Sequence, residues 1–209
     1  MTTHYNRIAG RSLDRLSGLS DGVFAFAMTL LVLDLKPPPF ASIHSERDLI
    51  GALVALTPRI VTWLMSFLTL GIFWVGQQTH HERLAHSDRG YSWIQIAFLM
   101  MVSLVPFSTA LLAEFIDYRT ALLIYWFNIF MLGATMLASV YRARAFGLTK
   151  ADASPQDEPV LLTRIFKGQA LYALGAALCV FSTYWSIGFI VAVQLNYAIG
   201  LRFRPFSWL

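Results

Sequence analysis

Six stretches of this chain, at about 13–35, 49–77, 91–115, 120–141, 160–182 and 186–201, are apolar over most of the roughly 20 residues that a helix needs to cross a bilayer. Inside hydrocarbon every backbone N–H and C=O must find a partner within the protein, so each stretch is expected to be a helix. The expected fold is all-α: a polytopic membrane protein with six transmembrane helices per subunit, forming one domain over residues 1–209. With 56% hydrophobic and only 13% charged residues, the chain is too apolar to hide its side chains in one soluble core.

The connections fit this division. Pro37, Pro38 and Pro39 end the first segment and send the chain through a polar stretch, 40–48. The second segment is longer than a bilayer requires and carries Pro58 and Arg59, so its early part is expected to lie at the interface. A polar loop at 78–90, with His80, His81 and His86, leads to the third segment, where Pro106 should kink or end the regular helix. The linker 142–159 is the one extended polar connection, and a very short turn near 183–185 makes the last two segments a hairpin.

Basic residues set the orientation. With a cytoplasmic N-terminus and six crossings, Lys36, Arg47, Arg59 and Arg119 fall outside, and the other twelve of the sixteen Lys and Arg, among them Arg7, Arg11, Arg202 and Arg204, fall inside. The expected location is the cell membrane, multi-pass, with both termini cytoplasmic. Trp93, Tyr184, Trp185 and Trp208 lie near segment ends, as interfacial aromatic residues do. The basic residues are spread through loops, which gives no face for nucleic acid. The single cysteine, Cys179, lies in an apolar stretch and reads as a small buried hydrophobe.

The first segment carries the chemistry. Ser20 and Asp21 immediately precede the apolar run Val23–Leu33, where a charge is costly to bury and marks a functional or structural site. As helix-start residues they also suit capping of free N–H groups. Phe26, Leu30 and Leu33 recur at i, i+4 and i+7 and share a helix face, with Val23 one turn earlier and Thr29 one residue off the stripe. Such a stripe serves most often as a packing or lipid-facing surface. Gly18 and Gly22 let another helix approach closely.

These residues also carry a resemblance. Arg15-x-x-x-Leu19-Ser20-Asp21-Gly-Val-Phe-Ala, running on into Met-Thr-Leu-Leu-Val-Leu-Asp-Leu, resembles the signature first helix of the transmembrane protein 175 family, the endolysosomal potassium channels and their prokaryotic relatives. Phe73-Trp74, His80-His81 and Leu104-Val-Pro106-Phe107-Ser-Thr109-Ala-Leu are similar to that family's second helix, following loop and third helix. The motifs cover about the first 115 residues. The resemblance implies a potassium-favouring cation channel, a homotetramer of six-helix subunits whose first helices line a central pore. It also implies an apolar constriction in place of a carbonyl filter, mapping here to Phe26, Leu30 and Leu33, with Thr29 as the nearby hydroxyl. This sequence departs from the pattern at Leu19, where the family usually has Phe, and at Phe26, where it is usually aliphatic.

An apolar ring a few ångströms wide gates by excluding water, and preference for potassium then rests on the lower cost of partly dehydrating the larger ion near Thr29. Asp34 at the outer end of the helix would gather cations at the mouth. Arg15 at the inner end is expected to pair with carboxylate or lipid phosphate. Arg15, Ser20 and Asp21 form a structural polar motif, with Trp74, Gln77, His80 and His81 as candidate partners. Two adjacent histidines without a third ligand make a weak zinc signal, so no metal or cofactor is expected, although histidines titrate near neutrality and a pH-sensing role for His80, His81 or His86 is open. The expected partners are potassium ions and, more weakly, other monovalent cations, the lipid bilayer, and three further copies of the chain. A secondary transporter would show internal repeats with midplane charges, and an enzyme a convergent catalytic set. The halves do not resemble each other, the helix centres hold few ionisable groups and no catalytic set converges, so the alternatives to a channel are a secondary transporter or a non-conducting membrane scaffold.

Overall fold

The computed structural model describes residues 12–154 and 156–199. Arg7, Arg11, Arg202, Arg204, Trp208 and the end of the sixth segment lie outside the described residues. Among the described residues seven α-helices follow one another: α1 (Leu13–Leu30), α2 (Glu46–Ala55), α3 (Thr57–Glu82), α4 (Arg89–Glu114), α5 (Arg119–Ala145), α6 (Asp157–Ala177) and α7 (Thr183–Ile199). A 3₁₀ turn, Leu31–Asp34, extends α1, and another, Leu178–Val180, closes α6.

Local chemistry explains the boundaries. Ser12, Ser45 and Asp88 each stand in extended conformation ahead of a helix and accept a hydrogen bond from the third residue on, so α1, α2 and α4 start with satisfied N–H groups. Pro58, in the first turn of α3, needs no N–H there, and the long second segment accordingly divides into the short α2 and the spanning α3. At the other end α3 continues to Glu82 rather than stopping near residue 77, because His80 and His81 are buried by neighbours instead of forming a solvated loop. The chain turns out of α5 through Gly147, whose φ of 61° favours a residue without a side chain.

Pro106 does not end α4, which runs through it to Glu114. Proline removes one backbone donor, and Asn128 of α5 serves the disturbed turn. With its amide oxygen facing the donors, Asn128 accepts from the Val105 N–H at 3.2 Å and the Ser108 hydroxyl at 3.1 Å, and donates to the Met101 carbonyl at 3.1 Å. A side chain from the neighbouring helix thus completes backbone hydrogen bonding where lipid offers none.

Among the described residues four helices are long and apolar enough to cross a membrane: α1 with its 3₁₀ extension, α3, α4 and α5. This is a multi-pass membrane protein. α6 is 21 residues long but carries Asp157, Glu158, Arg164 and Lys167, and α7 is 17 residues long. Phe24, Leu31, Met65, Leu70, Phe98, Val102 and Leu132 belong to one core shared by α1, α3, α4 and α5. The rings of Phe24 and Phe98 lie 5.9 Å apart. A smaller cluster beside the start of α1 joins Leu16 to Leu84, Tyr91, Ala143 and Leu148, and backbone bonds Ala85 N–H to Leu148 C=O and Lys150 N–H to Arg83 C=O stitch the loops after α3 and α5 together.

Arg142 closes this end by donating to Asp88 at 2.5 Å. Gly90 makes the approach feasible, since a Cβ there would fall 2.6 Å from the guanidinium. Partial burial works to raise the Asp88 pKa, but the Arg142 hydrogen bond, the Tyr91 N–H and the Arg142 charge outweigh it and hold the carboxyl below the usual value.

Candidate functional site

α1 has two unlike sides. Leu16, Ser20, Phe24, Ala27 and Leu31 are buried against α3 and α4. Gly18, Gly22, Ala25, Phe26, Thr29, Val32 and Leu33 are exposed along the opposite side, with Phe26 at 66% and Leu33 at 65%. Thr29 lies within this exposed strip, and Leu30, at its edge, is half-buried. Val23 is likewise half-buried. Of the four long apolar helices, α1 is the least covered, with 28% of its most apolar window buried against 39–44% for the others.

Thr29 has its proton engaged. Its hydroxyl donates to the Phe26 carbonyl at 2.8 Å, the usual return bond of a threonine to the preceding turn. The Oγ1 lone pairs are what it presents outward. Asp34 is half-buried in the 3₁₀ turn at the far end of the helix, and Arg15 is exposed at the near end.

A chain of polar side chains anchors the N-terminal half of α1. Asp21 Oδ1 accepts from the Trp74 indole at 2.9 Å and from the Gln78 amide at 2.7 Å. Ser20 donates to Gln77 Oε1 at 2.5 Å, Gln77 donates to Gln95 Oε1 at 2.7 Å, and Gln95 donates to the Tyr91 hydroxyl at 2.9 Å. Ser17 meets His81 Nδ1 at 3.0 Å. The rings of His80 and His81 lie 5.9 and 6.2 Å from that of Tyr91. Ser20 and Asp21 therefore reach Trp74 and Gln77, two of the four partners expected for them, whereas His81 binds Ser17 and His80 packs on Tyr91.

Gln78, Gln95, Ser17 and Tyr91 escaped the sequence reading. Gln77, Gln95 and Tyr91 are all almost completely buried in apolar helices, and an amide within an apolar run is the signal that points to such a network. Leu19 is 52% exposed.

The family model described as endosomal/lysosomal potassium channel TMEM175 matches residues 15–106, which hold α1, the polar anchor and Pro106. Over 190 residues the chain is 30% identical to a protein of Chamaesiphon minutus named a potassium channel, covering 88% of this chain and 93% of that one. A Streptomyces collinus protein named a potassium channel is 39% identical over 102 residues, 49% of this chain and 48% of that one. The human endosomal/lysosomal proton channel TMEM175 is 34% identical over 80 residues, 36% of this chain and 15% of that one. In structure, the chain is similar to the crystal structure of a lysosomal potassium-selective channel TMEM175 homolog from Chamaesiphon minutus, with a TM-score of 0.77, 27% identity, and coverage of 90% of this chain and 96% of that one. On the sequence match over nearly its whole length and the shared fold, this chain belongs to the TMEM175 family.

Proposed function

We propose that this chain is a potassium-favouring cation channel in which four copies of α1 surround a central pore. The observation that carries the reading is the exposed strip on α1: a long apolar helix, held from behind by a core and a polar anchor, presents Phe26, Thr29 and Leu33 to whatever lies in front of it. The names of the bacterial relatives support potassium as the ion.

In this reading Phe26, Leu30 and Leu33 narrow the pore and gate it by excluding water. Leu30, half-buried in the single chain, contributes from the edge of the strip. Thr29 presents oxygen lone pairs because its proton is held by the Phe26 carbonyl. A cation shedding part of its water beside it finds a replacement acceptor, and the larger potassium ion sheds water at lower cost than sodium. Asp34 lends negative charge to the outer mouth. Arg15, Ser20, Asp21, Trp74, His80 and His81 hold the helix rather than touch the ion. α6 and α7 complete six crossings, with both chain ends on the cytoplasmic side of the cell membrane.

Flux from liposomes containing the purified protein tests the reading, with potassium, sodium and proton gradients imposed separately. Potassium flux above sodium flux is the expected result, together with increased or less selective flux in Phe26→Ala. No flux from either protein, once each is verified as a folded oligomer, would overturn it and favour a scaffold.

A further inference from the structure

A cavity of about 420 Å³ separates α3 from α6, and Met136 of α5 with Val193, Gln194 and Tyr197 of α7 completes its walls. None of the described residues lining it belongs to α1, so it is distinct from the exposed strip. Its mouth is charged. Glu82 and Asp157, both exposed, stand there with Arg83, which lies 3.7 Å from Asp157 and ties the end of α3 to the start of α6. Exposed carboxylates keep their water, so the mouth opens towards an aqueous face.

Behind the mouth the walls are apolar. Phe73, Leu161, Ile165 and Leu171 supply hydrocarbon, and Gly76 and Gly168 leave bare backbone on the two facing helices. A Cβ added at Gly76 would meet the end of the Met136 side chain at 2.9 Å, whereas one added at Gly168 would meet nothing within 4 Å. The open space therefore lies along α6, beside Gly168.

The deep end carries the signal that points to a ligand. Gln194 is 1% exposed, and its amide nitrogen donates to Thr69 at 2.6 Å and Tyr172 at 2.9 Å. Its carbonyl oxygen has no partner among the described residues, and neither has that of Gln169, whose nitrogen reaches the Ile129 carbonyl at 3.4 Å. Both residues line the cavity. They are also neighbours, since Tyr172, which accepts from Gln194, stands three residues beyond Gln169 on α6. Buried acceptors without donors are uncommon because desolvation leaves them uncompensated. Two adjacent acceptors call for two donors on one molecule. A cation would have to pass Arg83 and Arg164, and an anion would bring its charge against two carbonyl oxygens. Lys167 also lines the cavity but already has an interaction of its own, so it supplies no anchor. These constraints leave a neutral donor.

We infer that this cavity binds a small neutral aromatic molecule carrying two O–H donors, a dihydroxybenzene being the simplest. The ring lies in the open space beside Gly168, among the apolar side chains, and its hydroxyls donate to the carbonyl oxygens of Gln194 and Gln169. Such a solute arrives from water and has no chain to place in lipid. The volume is in the range of small-molecule sites. The inference does not require conduction.

Equilibrium dialysis of the purified full-length protein in phosphatidylcholine nanodiscs, against nanodiscs without protein, tests it with three probes: resorcinol, its dimethyl ether and meta-hydroxybenzoate. Resorcinol is expected to bind at least tenfold more tightly than the ether, the change expected for two hydrogen bonds to buried acceptors, and more tightly than the benzoate. Gly168→Leu, which fills the open space and leaves both amides in place, should abolish resorcinol binding without lowering the thermal midpoint. Gln169→Met removes one acceptor at similar size, so it should weaken resorcinol several-fold and leave the ether unchanged. Equal binding of resorcinol and the ether would mean that water serves the amides, and would overturn the inference. So would tighter binding of the benzoate, resorcinol binding that survives Gly168→Leu, or no binding of resorcinol at all. Because binding is read directly, a protein that takes resorcinol and conducts nothing would refute the channel reading and leave this one standing.

Discussion

Trp74 donates its indole N–H to Asp21 at 2.9 Å, so an aromatic residue of α3 holds a carboxylate near the middle of α1. The Gln78 amide meets the same oxygen. A carboxylate two turns inside α1 thus pins that helix to its neighbour. Asp21→Ala should destabilise the folded oligomer by about 1–2 kcal/mol, the scale for hydrogen bonds to a charged acceptor at a partly exposed site. Thermal unfolding with gel filtration reads this directly. A normally stable oligomer with altered ion preference would place Asp21 in the pore instead.

Phe26→Ala removes the bulkiest side chain of the exposed strip on α1. Potassium flux should rise several-fold and discrimination against sodium should fall, because a wider apolar ring stays wet. Unchanged flux in liposomes would mean that the ring does not form the narrowing.

Asp88 and Arg142 predict an acid limit. The Asp88 carboxyl is depressed in the folded state, so its contribution is full above the ordinary carboxylate value of about 4 and is lost as pH falls through the folded value. Asp88→Asn should have a lower thermal midpoint than the parent at neutral pH, and the gap should close as the pH drops below about 4. A gap independent of pH would show that the carboxylate charge is not what matters.

Gly133→Ala tests close packing of α5 on α6. A Cβ at Gly133 would clash with the Gln169 amide. The substitution should cost about 1–3 kcal/mol, as overpacking does, and the thermal midpoint should fall accordingly. Gly133→Ala combined with Gln169→Ala should recover most of the loss.

Much of this was legible because hydrocarbon permits few backbone solutions. The helical class and the exit at Pro37 followed from where apolar runs start and stop. What escaped the reading depended on neighbours. His80 and His81 read as a polar loop, yet Ser17 and Tyr91 draw them into the end of α3. Pro106 reads as a break, yet Asn128, twenty-two residues further on, bonds the Met101 carbonyl and the Val105 N–H in the turn before the proline and holds the helix together there. The strip on α1 has the spacing expected for one helix face, but only packing against α3 and α4 reveals that Thr29 shares the open side and Leu30 stands at its edge.

The service that Asn128 renders to α4 bears on how the chain enters the bilayer during synthesis. Until α5 emerges, the turn around Pro106 has backbone groups without partners, a poor condition for a segment surrounded only by lipid. The translocation machinery should therefore hold α4 in its aqueous shelter until α5 is made and release the two as a hairpin. A nascent chain halted before residue 128 should be retained at the translocon, and one halted after α5 should be set free.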